Sequence, residues 1–357
     1  IRRCKTDERG GFMKQHEVTR IQSLMDGKGC VNEPGWARSL VWQYDRKKIK
    51  APKYRIKEWD YYLITNDHFG AAFTISDLGY LGMISVSVLD FDNTWHHTET
   101  VLVPLTMGRL RLGSHSDYGN ANFQNRRVHL KYSMVFDRRK IQCHFKSFKD
   151  GQDLNAEIWL LQKPAESMCI ATPWPDKPKA FYYNQKINCL PASGCIRLGE
   201  EQWRFKPEDA MGVLDWGRGV WTYDNVWYWG TGSGRIDGVP FGINVGYGFS
   251  DRTSASENVI FYDGKIHKLS DVTLCIPQDM DGNELYTERW QILSSDERLE
   301  GDFIPIFARS AKTDMKIIMT DQHQVFGRFT GKAVLDDGKV LDIKDFLCAV
   351  EVVHNKY

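Results

Sequence analysis

The chain has 357 residues, of which 42% are hydrophobic, 13% aromatic and 26% charged, and its formal net charge is +1. This composition is that of a folded protein long enough to form two compact units. A nearly neutral chain has no global field that attracts nucleic acid, so we expect no nucleic-acid partner.

Alternating apolar and polar residues predict strands along the first half of the chain. The basic run 46–57 is interrupted by apolar residues and favours a charged edge strand. Further strands are predicted at 61–65, 70–76, 83–91, 98–105, 126–137, 140–148 and 155–162. Turn residues separate these segments, which indicates consecutive antiparallel hairpins.

Prolines cluster in one part of the sequence, at positions 164, 173, 175 and 178. Because proline interrupts both helices and sheet ladders, we place a domain boundary there. The predicted units are a disordered N-terminal extension (1–19), a first β domain (20–165), a proline-rich linker (166–178) and a second β domain (179–357).

Strand patterns resume in the second half, at 239–250, 256–277, 301–309, 325–338 and 347–357. Asp263-Gly264 and Asp337-Gly338 predict the tips of two hairpins. Segments with helical periodicity are few and short. We therefore predict an all-β protein with two antiparallel barrels or sandwiches packed side by side.

Several classes of site have no signature in the sequence. The eight cysteines form no CxxC pair, which predicts reduced thiols and no metal site. The glycine run 230–235 lacks the dinucleotide spacing, and no cofactor is expected. No signal peptide and no apolar segment of membrane length is present, which predicts a cytoplasmic protein without a membrane span. The sequence does not specify an oligomeric state.

Four segments resemble a bacterial family known only as domain of unknown function 2804. They read GWARSLVWQYDR (35–46), IKEWDYY (56–62), GVLDWGRGVW (212–221) and FGINVGYG (241–248). The resemblance spans most of residues 20–355 and carries no established activity. More distantly, the duplicated β layout resembles two-domain lipocalin-like proteins such as carotenoid hydratases, tocopherol cyclases and fungal cyclases, and this likeness of architecture assigns no catalytic residue.

The segment 214–229 is the strongest candidate site, because it concentrates aromatic and charged residues around two glycines. Asp215 is predicted in a tight glycine turn beside indole faces, where desolvation would raise its pKa and make it a general acid. The alternative is an Asx turn without chemistry. Arg218 would orient an anionic group of a ligand, or would pair with Asp215 and lower its pKa.

Aromatic residues supply the rest of the predicted ligand site. Trp216, Trp221, Trp227 and Trp229 would stack on a ring or polyene, with Trp59 and Asn244 beside them. Core filling is the alternative for any single tryptophan. On a strand, Trp227 and Trp229 would share one face.

These residues predict a protein that binds a mostly apolar or ring-shaped small molecule near the DWGRGVW motif. If it is an enzyme, acid catalysis of the hydratase, cyclase or isomerase type would need no cofactor. A carbohydrate hydrolase in which Asp215 forms a carboxylate pair with Asp60 or Asp224 would use the same motif. The residues are also compatible with a non-catalytic lipid or terpenoid binding protein, and with an aromatic band that only joins the two halves.

Overall fold

A computed structural model describes residues 15–118, 120–314 and 319–356 of the chain. Within these ranges the regular structure is β, apart from two short 3-10 helices at Arg46–Lys48 and Lys53–Arg55. The predicted edge strand at 46–57 is therefore wrong over most of its length. The reason is local: Asp45 caps the first turn by accepting a hydrogen bond from the Lys47 backbone N–H at 2.9 Å.

The strands up to residue 220 are β1 (Gln22–Ser23), β2 (Gly35–Ala37), β3 (Trp42–Gln43), β4 (Ile56–Thr65), β5 (Phe69–Asp77), β6 (Leu81–Asp90), β7 (Trp95–Pro104), β8 (Asn122–Gln124), β9 (Val128–Val135), β10 (Arg138–Lys149), β11 (Gln152–Leu161), β12 (Met168–Trp174), β13 (Lys177–Leu198), β14 (Glu201–Phe205) and β15 (Met211–Val220). In the described chain, β1 and β3 pair in parallel, and the others form one antiparallel sheet in the order β7-β6-β5-β4-β15-β13-β11-β10-β9-β8. Strands β12 and β14 pair with β13, and β2 pairs with β12.

The remaining strands are β16 (Asp224–Ile236), β17 (Val239–Tyr247), β18 (Val259–Tyr262), β19 (Lys265–Lys268), β20 (Val272–Cys275), β21 (Trp290–Ser294), β22 (Leu299–Asp314), β23 (Met319–Val334) and β24 (Val340–Lys356). Among the described residues they form a second sheet in the order β19-β18-β17-β16-β24-β23-β22-β21-β20. The hairpin tips predicted from sequence are confirmed, and Asp263 and Gly264 both take the positive φ of a tight two-residue turn.

Each large sheet curls around its own apolar core. Phe73 of β5 and Phe145 of β10 belong to one buried cluster although their strands lie far apart in the sheet order. His97 of β7 also donates to the Phe148 carbonyl of β10 at 2.8 Å. The second sheet encloses a separate core that contains Trp290. The predicted all-β, lipocalin-like class is confirmed.

The two sheets pack against each other through residues that face away from both cores. One cluster joins Leu63 and Val213 of the first sheet to Phe326 of the second. Another joins Tyr182 to Phe249. We call this contact the sheet junction, and it is where β4, β13 and β15 meet β16, β17 and β24.

The chain changes sheet at a different place from the predicted linker. The proline-rich segment 166–178 contains β12, which is paired on both sides. The first sheet ends with β15 and the second begins with β16. We therefore propose that the chain divides at 221–223. Residues 1–14 of the predicted extension lie outside the described residues, whereas the His16 N–H donates to the Ser254 carbonyl at 2.7 Å.

The predicted turn at DWGRG is wrong, because these residues lie inside the fully buried strand β15. The glycines are required by packing instead. A Cβ on Gly217 would lie 2.0 Å from the indole of Trp59, and one on Gly219 would lie 2.6 Å from the Phe181 carbonyl oxygen. Trp59 can therefore lie flat on β15 only where that strand has no side chain.

We expect Gly217→Ala to lower the free energy of unfolding by about 1–3 kcal/mol, because the added methyl group overpacks the contact with Trp59. Urea unfolding followed by tryptophan fluorescence measures this change. Gly27→Ala is the matched control, since a Cβ there meets no atom within 4 Å. A Gly217→Ala protein as stable as the control would contradict the packing explanation.

Candidate functional site

Strand β15 separates the predicted site residues onto two faces, because successive side chains of a strand alternate. Trp216 belongs to the core of the first sheet. Asp60 of β4 is its direct cross-strand partner and shares that face. Asp215 pairs with Tyr61 and faces the sheet junction. Asp60 and Asp215 therefore lie on opposite faces of one sheet, and the predicted carboxylate pair across a cleft does not form.

Arg218 is fully buried, and all of its N–H donors are used inside the protein. Nε and Nη2 donate to the Gly113 carbonyl at 3.2 and 2.7 Å, and Nη1 donates to the carbonyls of Trp59 and Gly217 at 2.8 and 2.7 Å. Nη2 also lies 3.0 Å from Asp60 Oδ1. Four of its five N–H donors are hydrogen-bonded to carbonyl groups and the whole group is buried against Asp60, so the guanidinium is not placed to orient a ligand. Its acidic partner is Asp60, not Asp215.

Trp216 fills the first core and does not contribute to a ligand site at the junction. Arg218 lies over its ring at 4.0 Å from the centroid, and Tyr183 packs edge-on at 5.4 Å. Burial raises the pKa of Asp60 on the same face, although the neighbouring Arg218 and Arg139 oppose this shift. The interior of the first barrel therefore contains buried charged side chains, and Asp60 is ion-paired there with Arg218.

On the junction face, one ammonium group lies between two carboxyl groups. Lys186 Nζ is 2.9 Å from Asp215 Oδ1 and 3.9 Å from Glu257 Oε2. It also lies 4.6 Å from the centroid of the Trp229 ring, where a cation is attracted by the indole face. Lys186 reaches this position because it is the cross-strand partner of Asp215.

Two neutral side chains, Asn184 and Tyr182, complete this group. We call the five residues Asp215, Lys186, Glu257, Asn184 and Tyr182 the junction cluster. Asn184 donates to Asp215 Oδ1 at 2.6 Å, and the Tyr182 hydroxyl donates to Glu257 Oε2 at 2.8 Å. Burial raises the pKa of Glu257, and the nearby Lys186 opposes that shift. Glu257 is therefore the carboxyl group of the cluster that favours its protonated form more than an exposed glutamate does.

Three other predicted residues are tied to the second sheet beside the cluster. Trp229 donates to Asn244 Oδ1 at 2.9 Å. Trp227 donates to Glu351 Oε1 at 2.9 Å, and burial raises the pKa of Glu351. Trp227 and Trp229 share the junction face while Tyr228 stacks on Tyr247 in the other core, so the predicted alternation is confirmed.

An aromatic band surrounds Trp221 at the junction. Its ring neighbours are Trp59, Trp174, Tyr182, Trp227 and Phe249, at centroid distances of 6.1, 5.3, 5.7, 5.2 and 5.6 Å. Trp59 also stacks on Tyr182. The structure therefore brings the rings of Trp59 and Trp227 into contact with Trp221, whereas Trp229 packs edge-on against Tyr61 on the same junction face.

Access to the junction cluster differs among its charged members. Asp215 keeps 9% of its surface accessible, whereas Lys186 keeps 2% and Glu257 keeps 1%. Tyr61 and Trp227 nearby are also only partly buried. Asp215 is thus the least deeply buried charged member of the cluster. Two open surface depressions of the described chain lie elsewhere, one of about 350 Å³ on the outer face of β9–β11 and one of about 430 Å³ beside Trp36.

Sequence reasoning missed Lys186 and Glu257. A signal for Lys186 exists in the segment 181–188, where Asn184, Lys186 and Asn188 place polar groups at every second position of a buried strand. Polar residues on one face of a buried strand indicate a polar interface. Within the described ranges, no group of histidine, cysteine and acidic residues could hold a metal ion.

The fold and the junction define an all-β, lipocalin-like protein of two curled antiparallel sheets packed together. The chain belongs to the family described as domain of unknown function DUF2804, whose profile matches residues 15–357. This confirms the resemblance seen in the sequence. Comparison with curated proteins returned no match. None of the helices in the described residues has the length and apolar character needed to cross a bilayer.

Two crystal structures are similar to this chain. An AttH-like protein from Nitrosomonas europaea has a TM-score of 0.50 and 12% sequence identity, over 87% of this chain and 96% of that chain. Kievitone hydratase from Nectria haematococca has a TM-score of 0.48 and 9% identity, over 84% of this chain and 88% of that chain. The first similarity shows the fold alone, and the second is too weak to support an argument about function.

We expect Lys186→Met to lower the free energy of unfolding by about 3–5 kcal/mol near neutral pH, because it leaves buried acids without their cation. The loss of Lys186 removes the charge that opposes the raised pKa of Glu257, so the folded variant holds more protons than the unfolded chain. The difference in unfolding free energy between the wild type and Lys186→Met must therefore become smaller as the pH falls through the folded-state pKa of the variant. Urea unfolding at neutral and acidic pH measures both effects.

Lys163→Met is the control, since this lysine is exposed and its loss should change stability by less than about 0.5 kcal/mol. A deficit for Lys186→Met that is the same at both pH values would contradict the assigned charge pairing.

Proposed function

We propose that the protein binds a small, mostly apolar or ring-shaped molecule at the Asp215 side of the junction cluster and transfers a proton to it without a cofactor. The observation that carries this proposal is the burial of Lys186 between two carboxyl groups, of which Asp215 is the less deeply buried. A ligand that reaches Asp215 therefore contacts a carboxyl group that is backed by the ammonium group of Lys186 and the carboxyl group of Glu257.

A purely structural role explains these charges poorly. A buried ion pair is weak evidence for stability, because well-packed apolar residues of similar volume often serve as well or better. Groups whose pKa is perturbed by burial together with a specific charged partner are typical of functional sites. Glu257 fits this description, since burial raises its pKa while Lys186 opposes the shift.

The direction of proton transfer follows from the position of Lys186 between Glu257 and Asp215. Glu257 supplies the proton, because burial raises its pKa. Lys186 contacts both carboxyl groups, so it passes one proton to Asp215 as it takes one from Glu257. Asp215 gives the proton to an alkene carbon or a leaving oxygen of the ligand, and Glu257 is left as the new carboxylate. The faces of Trp227 and Tyr61, which are partly exposed beside Asp215, stabilise the positive charge that develops on the ligand. This is chemistry of the hydratase, cyclase or isomerase type.

A second candidate is a non-catalytic junction in which the aromatic residues only hold the two sheets together. It is favoured by the close packing of five rings around Trp221. A hydrolase that uses Asp60 with Asp215 is not favoured, because these residues face opposite sides of the sheet.

A panel of terpenoid and phenolic compounds, read by thermal shift and then by product analysis, tests the proposal. Compounds that stabilise the wild type should bind Trp227→Ala more weakly. Asp215→Asn should retain binding and lose turnover by a factor of about 10² or more, the size of a general acid's contribution. Asp176→Asn, at an exposed turn, is the control and should match the wild type. Unchanged turnover in Asp215→Asn would remove this residue from the mechanism.

A further inference from the structure

The first sheet presents a row of polar side chains that starts at Asp215 and runs across the sheet towards solvent. Each member of the row is the direct cross-strand partner of the next, in the order Asp215, Tyr61, Thr74, Ser85 and Thr100. We call these five residues the first-sheet row, and all of them point to the junction face. Asp215 is buried, the three middle residues are half-buried and Thr100 is exposed, so the second sheet covers the row less and less along its length.

The second sheet presents a matching row on its own junction face. Its members are also direct cross-strand partners, in the order Trp229, Glu351, Gln324 and Arg309. We call these four residues the second-sheet row. It begins beside the junction cluster, because the ammonium group of Lys186 lies on the Trp229 ring. It ends at a guanidinium group.

The two rows face each other at both ends. At the first end, the ring of Tyr61 packs edge-on against Trp229, with 6.0 Å between the ring centroids. At the other end, Arg309 Nη1 donates to the Ser87 hydroxyl and to Thr98 Oγ1, the latter at 3.2 Å. Each of these hydroxyl groups is two positions along its strand from a member of the first-sheet row, so it lies on the same face.

The distance between the two ends follows from the strand order. Asp215 lies on β15 and Ser85 on β6, which are separated by β4 and β5. Neighbouring strands lie about 4.8 Å apart, so the row extends about 14 Å from Asp215 to Ser85. The two rows therefore define a polar strip of about that length, with an acid at one end and Arg309 at the other.

Arg309 is half-buried and keeps unused N–H donors at its end of the strip. Its two Nη1 donors go to Ser87 and Thr98, and Nη2 donates to Gln324 Oε1 at 2.6 Å. All three partners are neutral. A guanidinium has five N–H donors, so one on Nε and one on Nη2 remain. Among the residues that the structure describes, no carboxylate lies within ion-pairing distance of Arg309.

Glu351 does not neutralise Arg309 by contact, because the Gln324 amide lies between them. That amide accepts from Arg309 and donates to Glu351 Oε2 at 3.1 Å. Glu351 also accepts from Trp227 and Gln322, both at 2.9 Å. Burial raises the pKa of Glu351, while the Trp227 hydrogen bond and Arg309 oppose this shift. The free donors of Arg309 are thus left for an acceptor from outside the protein.

An apolar flank runs beside the outer part of the first-sheet row. Met83 and Leu102 are direct cross-strand partners, each two positions from Ser85 or Thr100 and on the same face. Leu102 is 58% exposed. Apolar surface beside a strip with a few polar groups suits a ligand that has an apolar body and one polar end.

We infer that the molecule that reaches Asp215 is an elongated carboxylic acid, whose carboxylate accepts from Arg309 while its reacting atom lies about 14 Å away at Asp215. The two oxygens of a carboxylate match the two remaining donors of the guanidinium. This inference rests on the proposed function for the Asp215 end, and it names the substrate class of that site.

Calorimetric titration of the full chain with sodium farnesoate tests the inference. Farnesol, a neutral molecule with the same chain, and sodium crotonate, a carboxylate too short to span the strip, should each bind the wild type at least about ten-fold more weakly. Arg309→Met should weaken farnesoate by about ten-fold or more and leave farnesol unchanged. Lys312→Met is the matched control, since it removes an exposed cation of the same strand β22, and it should bind farnesoate as the wild type does.

Several results would overturn the inference. They are the absence of farnesoate binding to the wild type, equal affinity of the wild type for farnesol or for crotonate, and an unchanged farnesoate affinity in Arg309→Met. The comparisons among ligands use the wild type alone, so they decide the matter even if Arg309→Met fails to fold.

The titrations need no turnover, so this inference and the proposed acid catalysis fail separately. Equal affinities for farnesoate and farnesol, together with lost turnover in Asp215→Asn, would reject only the carboxylate. Retained turnover in Asp215→Asn, together with a preference for farnesoate that depends on Arg309, would reject only the acid catalysis.

Discussion

A single ammonium group, that of Lys186, compensates the acids that face each other where the two sheets meet. Asp215 comes from the first sheet and Glu257 from the second half of the chain, and Lys186 contacts both. Without this cation, packing the sheets would bury two carboxyl groups against each other, which is unfavourable by several kcal/mol. The junction can close, and can hold an acid that a ligand reaches, because β13 presents Lys186 directly opposite Asp215.

The DWGRG motif lies in a strand, so its side chains alternate between the core of the first barrel and the sheet junction. Trp216 and Arg218 build the first barrel, where Arg218 is saturated by carbonyl groups and Asp60. Asp215 and the glycines face the junction, where Gly217 allows the indole of Trp59 to lie against the backbone. The motif therefore fixes the position of the sheet and of the acid together.

Local patterns were sufficient to predict the all-β class, the hairpin tip at Asp263-Gly264 and the shared face of Trp227 and Trp229, since each depends on neighbours in sequence. The separation of Asp60 from Asp215 depends on the register between β4 and β15, which no local pattern encodes. The same holds for the glycines of β15, whose cause is the distant Trp59. Glu257 approaches Lys186 only through the packing of two sheets, so sequence alone could not pair them.

The most direct test of the central claim is a crystal structure of the protein with the compound that stabilises it most in thermal-shift experiments. The account predicts that the compound contacts the Asp215 carboxyl group beside Trp227, with Lys186 still bridging Asp215 and Glu257 behind it. A compound held inside either barrel, with Asp215 covered by protein side chains, would contradict the account and leave the junction cluster with a structural role only.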